Sequence, residues 1–229
     1  MGIGSPSAAE AVYRIATANR LLAADMFADL TPEQWRTPSL CAGWTVREVA
    51  AHLLEPLEAK VGTLKLLAHL VRYRGSLDRM VDHTARKVAA RPTDEIVTGL
   101  RERASTRLTP PVIGPLGPMT DTCIHLRDAA RPLGLDVCPS PASWRPALDF
   151  LVSKPATKGF VPRDRLAGLR LVATDQDWQH GDGAEILGTS EAIAMAVSGR
   201  PAALDDLAGP GVDELRPRIA PSSPAEPSV

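Results

Sequence analysis

A helix is predicted to start inside the segment Leu40-Cys41-Ala42-Gly43-Trp44-Thr45-Val46-Arg47-Glu48-Val49-Ala50-Ala51-His52-Leu53. Thr45 suits the N-cap, and Glu48 stands three residues later, as a capping box requires. The helix that begins there is predicted to reach about residue 72, with a bend at Pro56. It carries His52, whose imidazole is a potential metal ligand.

A second helix, about seventy residues later, offers Asp121 and His125. Residues four apart on a helix project from the same face, so these two side chains can hold one ion together. His52 can complete the set from a neighbouring helix. Two imidazoles and one carboxylate leave open positions on a divalent metal, as catalytic sites do. The alternative for Asp121 and His125 is a simple hydrogen bond along the helix face.

Helical periodicity dominates the first two thirds of the chain. No alternation typical of a strand occurs before residue 160. Besides the helix that carries His52, helices are predicted at residues 7–28, 76–90, 94–107, 119–131 and 143–154. Residues 1–155 are therefore predicted to form an antiparallel helix bundle, a fold that often builds metal sites between facing helices.

The pattern changes after the Pro- and Gly-containing segment 154–159. Residues 169–175 and 184–187 are predicted to form a β-hairpin around Gly181-Asp182-Gly183, followed by short helices at 190–198 and 201–207. This gives a small α+β domain at residues 156–218. Residues 219–229, rich in Pro and Ser, are predicted to be a disordered tail.

Net charge and cysteine content indicate which kinds of binding partner are favoured. The 229 residues carry a formal net charge of −1, so no basic field favours nucleic acid or an anionic membrane. The three cysteines are an odd number without close spacing, which favours reduced thiols in a cytoplasmic protein. Neither a signal peptide nor a membrane-spanning segment is indicated. The expected partner is a small-molecule substrate, and the expected state is a monomer or homodimer.

Several segments resemble one family. They are Cys41-Ala42-Gly43-Trp44-Thr45-Val46-Arg47-Glu48 with Ala51-His52-Leu53, the helix of residues 121–134, and the segments 169–175, 177–183 and 199–207. These resemble the mycothiol-dependent maleylpyruvate isomerase-like proteins, which lie within the DinB-like metal-binding bundles. The family usually has Pro at the position of Ala42.

The resemblance implies a mainly α fold, with a DinB-like four-helix bundle followed by a small α+β C-terminal domain. It also implies one divalent ion, typically zinc, with the ligand roles carried onto His52, Asp121 and His125. One departure is that the isomerase-type pattern has Glu where this chain has Asp121. Because Asp is one methylene shorter, the ion must lie closer to that helix.

The function implied by the resemblance is that of a divalent-metal-dependent enzyme. It would use a low-molecular-weight thiol of the mycothiol type for isomerisation or transfer on a small electrophilic substrate. Two alternatives stay open, because a fold does not fix a function. One is a metal-dependent hydrolase, in which the ion activates water. The other is a non-catalytic metal-binding module.

Other polar residues have two interpretations each. His83 is expected on a solvated helix face, or as a fourth ligand or general base. His180 is expected to stabilise a turn or to contact substrate. Asp128 is expected to orient a ligand imidazole or to pair with an arginine. Cys41 is expected to be a small buried thiol badly placed for the ion, or a nucleophile whose thiol pKa is lowered by the helix start. For Cys123 the sequence gives one expectation, that it faces away from Asp121 and His125.

Overall fold

The computed structural model describes residues 7–58 and 77–219. It confirms the predicted class, a mainly helical protein with a small sheet near the C-terminus. The described helices are α1 (Ala8–Ala28), α2 (Val46–Glu58), α3 (Leu77–Ala89), α4 (Thr93–Arg103), α5 (Leu116–Ala130), α6 (Pro141–Leu151), α7 (Ser190–Val197) and α8 (Gly211–Ile219). Short 3₁₀ segments lie at Gln34–Arg36, Lys154–Thr157 and Pro201–Asp206. Within the described ranges, no helix is long and apolar enough to cross a membrane.

Internal contacts divide the chain into two compact units, Met1–Pro139 and Ser140–Val229. The first unit holds α1 to α5, and the second holds α6, the sheet, α7 and α8. This division groups α6 with the second unit. The boundary after residue 155 that the sequence indicates stays a prediction about independent folding.

Side-chain caps mark the beginnings of α1 and α2. Ser7 accepts a hydrogen bond from the backbone N–H of Glu10 at the start of α1. At the start of α2, the backbone N–H of Thr45 donates to the carboxylate of Glu48 at 2.8 Å, and Thr45 Oγ1 accepts from Arg47 N–H. The predicted capping pair therefore forms, with the hydroxyl one residue out of the usual register.

The core of the first unit is built around α2. This helix packs against α3, α4 and α5, while α1 packs against α4 and α5. Leu54 of α2 is fully buried against Gly99 of α4, where an added Cβ would lie 3.0 Å from the leucine methyl groups. Pro56 lies inside α2 as predicted, and the predicted continuation of this helix to residue 72 lies outside the described residues.

The sheet corrects the predicted hairpin. Strand β1 (Leu169–Ala173) pairs in parallel with β3 (Ala184–Gly188), whereas the short β2 (Gln179–His180) is its antiparallel partner on the other side. The chain therefore returns along β2 and crosses beneath the start of β1 at Gly181 and Gly183. Both glycines have positive φ, and a Cβ on either would overlap a backbone carbonyl oxygen of residue 168 or 169.

The second unit has its own core. Fully buried side chains from α6, the sheet and α7 fill it, including Trp144, Leu148, Ile186 and Ile193. Trp178 is also buried, and its indole N–H donates to Asp149 at 2.8 Å. Helix α8 was not predicted, and it extends to Ile219. The rest of the predicted disordered tail lies outside the described residues.

Candidate metal centre

The structure brings His52, Asp121 and His125 together. His52 lies on α2, and the other two lie one turn apart on α5. The His52 Nε2 atom is 3.3 Å from Asp121 Oδ2, and the His125 Nε2 atom is 3.3 Å from Asp121 Oδ1. The two imidazole rings meet edge to face, with centroids 4.6 Å apart. Both histidines thus turn the same type of ring nitrogen toward one carboxylate.

The separations of these donor atoms suit a small divalent ion. Bond lengths of about 2.0–2.1 Å to nitrogen and oxygen in a tetrahedron place neighbouring donor atoms about 3.3 Å apart. The two nitrogen-to-oxygen distances equal this value, with His52 facing Oδ2 and His125 facing Oδ1 of the same carboxylate. The three side chains are 12–29% exposed, so the cluster is partly shielded from water but open on one side. The same contacts also form the helix-face hydrogen bond that was the alternative for Asp121 and His125.

Charge interactions within the cluster are strong. Burial opposes ionisation of Asp121, but His125 and His52 outweigh it and hold the pKa of that carboxyl well below its usual range. Burial also disfavours the charged form of His125, but Asp121 and Cys41 outweigh it and raise the pKa of that imidazole. Without a metal, the site is therefore an ion pair between Asp121 and His125. A divalent cation could take the place of the imidazole proton that faces the carboxylate.

His125 is held from its other side by Asp128. The Nδ1 atom of His125 lies 3.0 Å from Asp128 Oδ2, and the Asp128 side chain is fully buried one turn further along α5. A carboxylate that accepts from Nδ1–H fixes the tautomer and leaves the Nε2 lone pair free for an ion. Of the two expectations for Asp128, the structure favours orientation of a ligand imidazole.

Cys41 corrects an expectation. Its thiol is not remote from the site but lies 3.0 Å from Asp128 Oδ2 and 3.4 Å from His125 Nδ1. The reason is that α2 begins only at Val46, so residues 41–45 form a turn rather than helix. The backbone N–H of Leu40 donates to the carbonyl oxygen of Asp128, which holds this turn against α5. Sequence spacing along one helix could not reveal a contact across 87 residues.

Trp44 covers the two histidines. Its ring centroid lies 5.3 Å from that of His52 and 6.3 Å from that of His125. The indole N–H donates to Asp82 of α3 at 2.8 Å, and the same carboxylate accepts from Arg86, whose guanidinium also donates to the carbonyl oxygen of Gly43. Helix α3 therefore fixes the position of the turn that carries Cys41 and Trp44.

Arg20 is a buried cation near the carboxylate that sequence reasoning missed. Its guanidinium donates to the carbonyl oxygens of Ala104 and Thr106 at 2.9 and 2.7 Å. Burial lowers its pKa to about 10, while the nearby charge of Asp121 acts in the opposite direction. The signal in the sequence was a single arginine on the apolar face of α1, which by itself indicates no partner.

The remaining candidates lie away from this cluster. His83 is exposed on α3 and belongs to neither potential metal-binding group found among the described residues. His180 is exposed in the second unit, where it stacks on Trp178 with ring centroids 6.4 Å apart. Cys123 is fully buried and accepts a hydrogen bond from Asn19, and burial raises the pKa of its thiol. It belongs to neither group of potential metal ligands among the described residues.

Comparison with known proteins shows which family and which known structure the chain resembles. The family described as the mycothiol maleylpyruvate isomerase N-terminal domain matches residues 18–112. A crystal structure of a histidine-to-alanine mutant of mycothiol-dependent maleylpyruvate isomerase is similar in fold, with a TM-score of 0.55. It is 15% identical, and the match covers 88% of this chain and 92% of that one. No curated protein sequence matches the chain. The family match covers residues 18–112, the segment that contains α2 and His52, and the likeness to the isomerase crystal structure is one of fold.

Proposed function

We propose that this protein is a divalent-metal-dependent enzyme that uses a low-molecular-weight thiol of the mycothiol type on a small electrophilic substrate. The observation that carries the proposal is the placement of His52 and His125 Nε2 atoms, each 3.3 Å from the Asp121 carboxylate. Zinc is the ion we propose, because it accepts a ligand set of two imidazoles and one carboxylate. The family match of the segment that contains His52 supports the thiol.

Three protein ligands leave a coordination position for a small molecule. A divalent ion held by His52, Asp121 and His125 would favour the thiolate form of a bound thiol at neutral pH. Such a thiolate would supply the nucleophile for reversible addition to a conjugated double bond, which permits isomerisation, or for transfer with loss of a leaving group.

The chain's own residues prepare this position. Asp121 contributes negative charge, and the Asp128 carboxylate keeps the His125 proton on Nδ1. The Trp44 ring lies against both imidazoles, where it restricts their rotation and excludes water from one side. The donor set is therefore built before any substrate binds, which reduces the cost of organising it during the reaction.

Metal content tests the ligand set. Elemental analysis of the purified protein is expected to find about one divalent ion per chain, and His52→Ala and His125→Ala are each expected to lose it. His83→Ala is the matched control, because His83 is exposed and lies outside the cluster. Metal retained at the parent level in both ligand variants would contradict the proposal.

Substitutions of Asp121 test the carboxylate separately. Asp121→Glu is expected to retain the ion, since the family pattern has the longer carboxylate there. Asp121→Asn is expected to weaken binding, because a neutral amide loses the charge attraction. Equal affinities for Asp and Asn in metal titrations would show that Asp121 is not a ligand.

The thiol is tested with cobalt-substituted protein. Adding a mycothiol-type thiol is expected to produce a sulfur-to-cobalt charge-transfer band and to raise the thermal stability of the protein. A metal-dependent hydrolase would instead turn over substrate with water and no thiol. Absence of both the band and the stabilisation at saturating thiol would reject the thiol-dependent function.

A further inference from the structure

A second donor set lies on the opposite side of the same histidine. Cys41 Sγ, His125 Nδ1 and Asp128 Oδ2 form a closed triangle with sides of 3.0, 3.0 and 3.4 Å. None of these atoms belongs to the ligand set of the proposed function, which uses the other ring nitrogen of His125. We propose that this triangle is a second metal position, selective for thiophilic divalent cations, and that its occupation competes with the ion held by His52 and Asp121.

The distances among the three donor atoms suit a site with three protein ligands. Bonds of about 2.3 Å to sulfur and 2.0–2.1 Å to nitrogen and oxygen would place donor atoms about 3.3–3.6 Å apart, which is wider than the observed sides by about half an ångström or less. Asp128 is fully buried, whereas Cys41 is half-buried and retains some contact with solvent. The turn that carries Cys41 is fixed to α5 by the hydrogen bond from Leu40 to the Asp128 backbone.

The chemistry of the donors determines which cations fit. A thiolate with one imidazole and one carboxylate favours cadmium or zinc over magnesium, calcium or manganese, which prefer oxygen ligands. Binding at this position displaces two protons from the apo cluster. The thiol proton goes to solvent, and the Nδ1 proton must leave that nitrogen, so the neutral ring then carries its proton on Nε2.

Competition follows from the two faces of one imidazole. A neutral imidazole has one nitrogen with a free lone pair and one that carries a proton. An ion on Nδ1 therefore leaves Nε2 protonated and unable to bind the ion shared with His52 and Asp121. This competition rests on the proposed function, because it requires an ion at His52, whereas the second position itself does not.

Cadmium alone is the probe for the second position. Titration of the reduced, metal-free full-length chain with Cd²⁺ is expected to give an ultraviolet sulfur-to-cadmium charge-transfer band. Cys41→Ser is expected to abolish the band and to weaken Cd²⁺ binding by about 10-fold or more, since even the loss of an outer-shell partner has an effect of that size. Cys138→Ser is the matched control, because Cys138 is an exposed cysteine outside the triangle.

Two further variants keep the test decisive. Asp128→Asn is expected to keep the band but weaken Cd²⁺ binding, and His52→Ala is expected to leave both unchanged. A band that survives in Cys41→Ser, or disappears in Cys138→Ser, would overturn the second position. If the His52→Ala variant binds divalent ions other than Cd²⁺ as well as the unmodified protein does, the proposed function fails. If the Cd²⁺ band still depends on Cys41 in that case, the second position stands.

Manganese tests the competition. Preloading with Mn²⁺, which favours the donor set without sulfur, is expected to raise the Cd²⁺ concentration needed for the band in the parent protein but not in His52→Ala. Circular dichroism of each variant verifies that its helix content equals that of the parent. An identical Cd²⁺ titration with and without bound Mn²⁺ would overturn the competition.

Discussion

His125 is the residue at which the contacts of the site converge. Its Nε2 atom faces Asp121, and its Nδ1 atom faces Asp128 and Cys41. The sequence predicted the Asp121 contact, because a separation of four residues on one helix fixes which side chains meet. It could not predict the Cys41 contact, which depends on where α2 begins and on the path of a turn.

The first prediction concerns the proton on His125 in the metal-free protein. Asp121→Asn is expected to lower the pKa of His125 toward its ordinary value, because a neutral amide no longer favours the imidazolium. The measurement is a pH titration of the imidazole signals by NMR. The exposed His83, which lies outside the cluster, serves as the internal reference signal.

The same interaction has a consequence for stability. Because folding raises the pKa of His125, its contribution to the free energy of unfolding is complete below about pH 6.5 and is lost as the pH rises through the raised value. Asp121→Asn is therefore expected to flatten the stability of the metal-free protein over that alkaline range. Chemical denaturation at several pH values measures this, and parallel stability profiles would contradict the explanation.

At the scale of secondary-structure elements, the sequence pattern predicted the helices better than the strands. Each predicted helix of the bundle shows the period of an amphipathic helix over two or more turns, so its existence followed from the sequence. The sheet was mispredicted because β2 has only two residues, too few to show alternation. The connection between β2 and β3 at Gly181 and Gly183 has the sequence pattern of a hairpin turn, because a hairpin turn and this connection both need glycine at positive φ.

The second prediction concerns how α2 is tied to α3. The Arg47 guanidinium donates to the carbonyl oxygens of Ala89 and Arg91 at 2.5 and 2.6 Å, and so satisfies acceptors at the end of α3. Arg47→Ala is expected to reduce the free energy of unfolding by about 1–3 kcal/mol, because charged hydrogen bonds are lost and two carbonyls lose their donor. Urea denaturation measures the change.

The control for Arg47 is another arginine in the same unit. Arg36 pairs with Glu33 at 4.0 Å, and their side chains are 75% and 80% exposed. Arg36→Ala is therefore expected to change the free energy of unfolding by less than about 0.5 kcal/mol. If the two variants were equally stable, the contacts of Arg47 would not hold the end of α3.

At the scale of the whole molecule, the sequence predicted the order of bundle and sheet and placed the helix at residues 143–154 in the bundle, whereas internal contacts group α6 with the second unit. Periodicity shows that a helix has an apolar face without showing which elements cover it. In the structure α6 packs against α7, and its Trp144 and Leu148 are fully buried. All five residues of the two donor sets lie in the first unit, before residue 140.

The third prediction concerns independent folding. A fragment of residues 1–139 is expected to fold and to bind the divalent ion with the parent stoichiometry. A fragment of residues 1–155 tests the boundary that the sequence indicates, because it adds α6 without the α7 that covers it. If the 1–139 fragment is unfolded by circular dichroism while the 1–155 fragment is helical and binds the ion, the boundary lies after α6.

The contact of Trp44 with both histidines gives the molecule an optical property. An indole whose ring centroid lies 5.3 Å from one imidazole and 6.3 Å from another reports the charge of both. Its N–H is fixed to Asp82, so the emission dipole has a constant orientation. Protonation or ion loading should therefore alter fluorescence from Trp44, while Trp35, buried against Phe27, contributes a steady background. A Trp44→Phe protein whose emission still responded to added Zn²⁺ would refute this, and otherwise occupancy of the site can be followed in real time without any added dye.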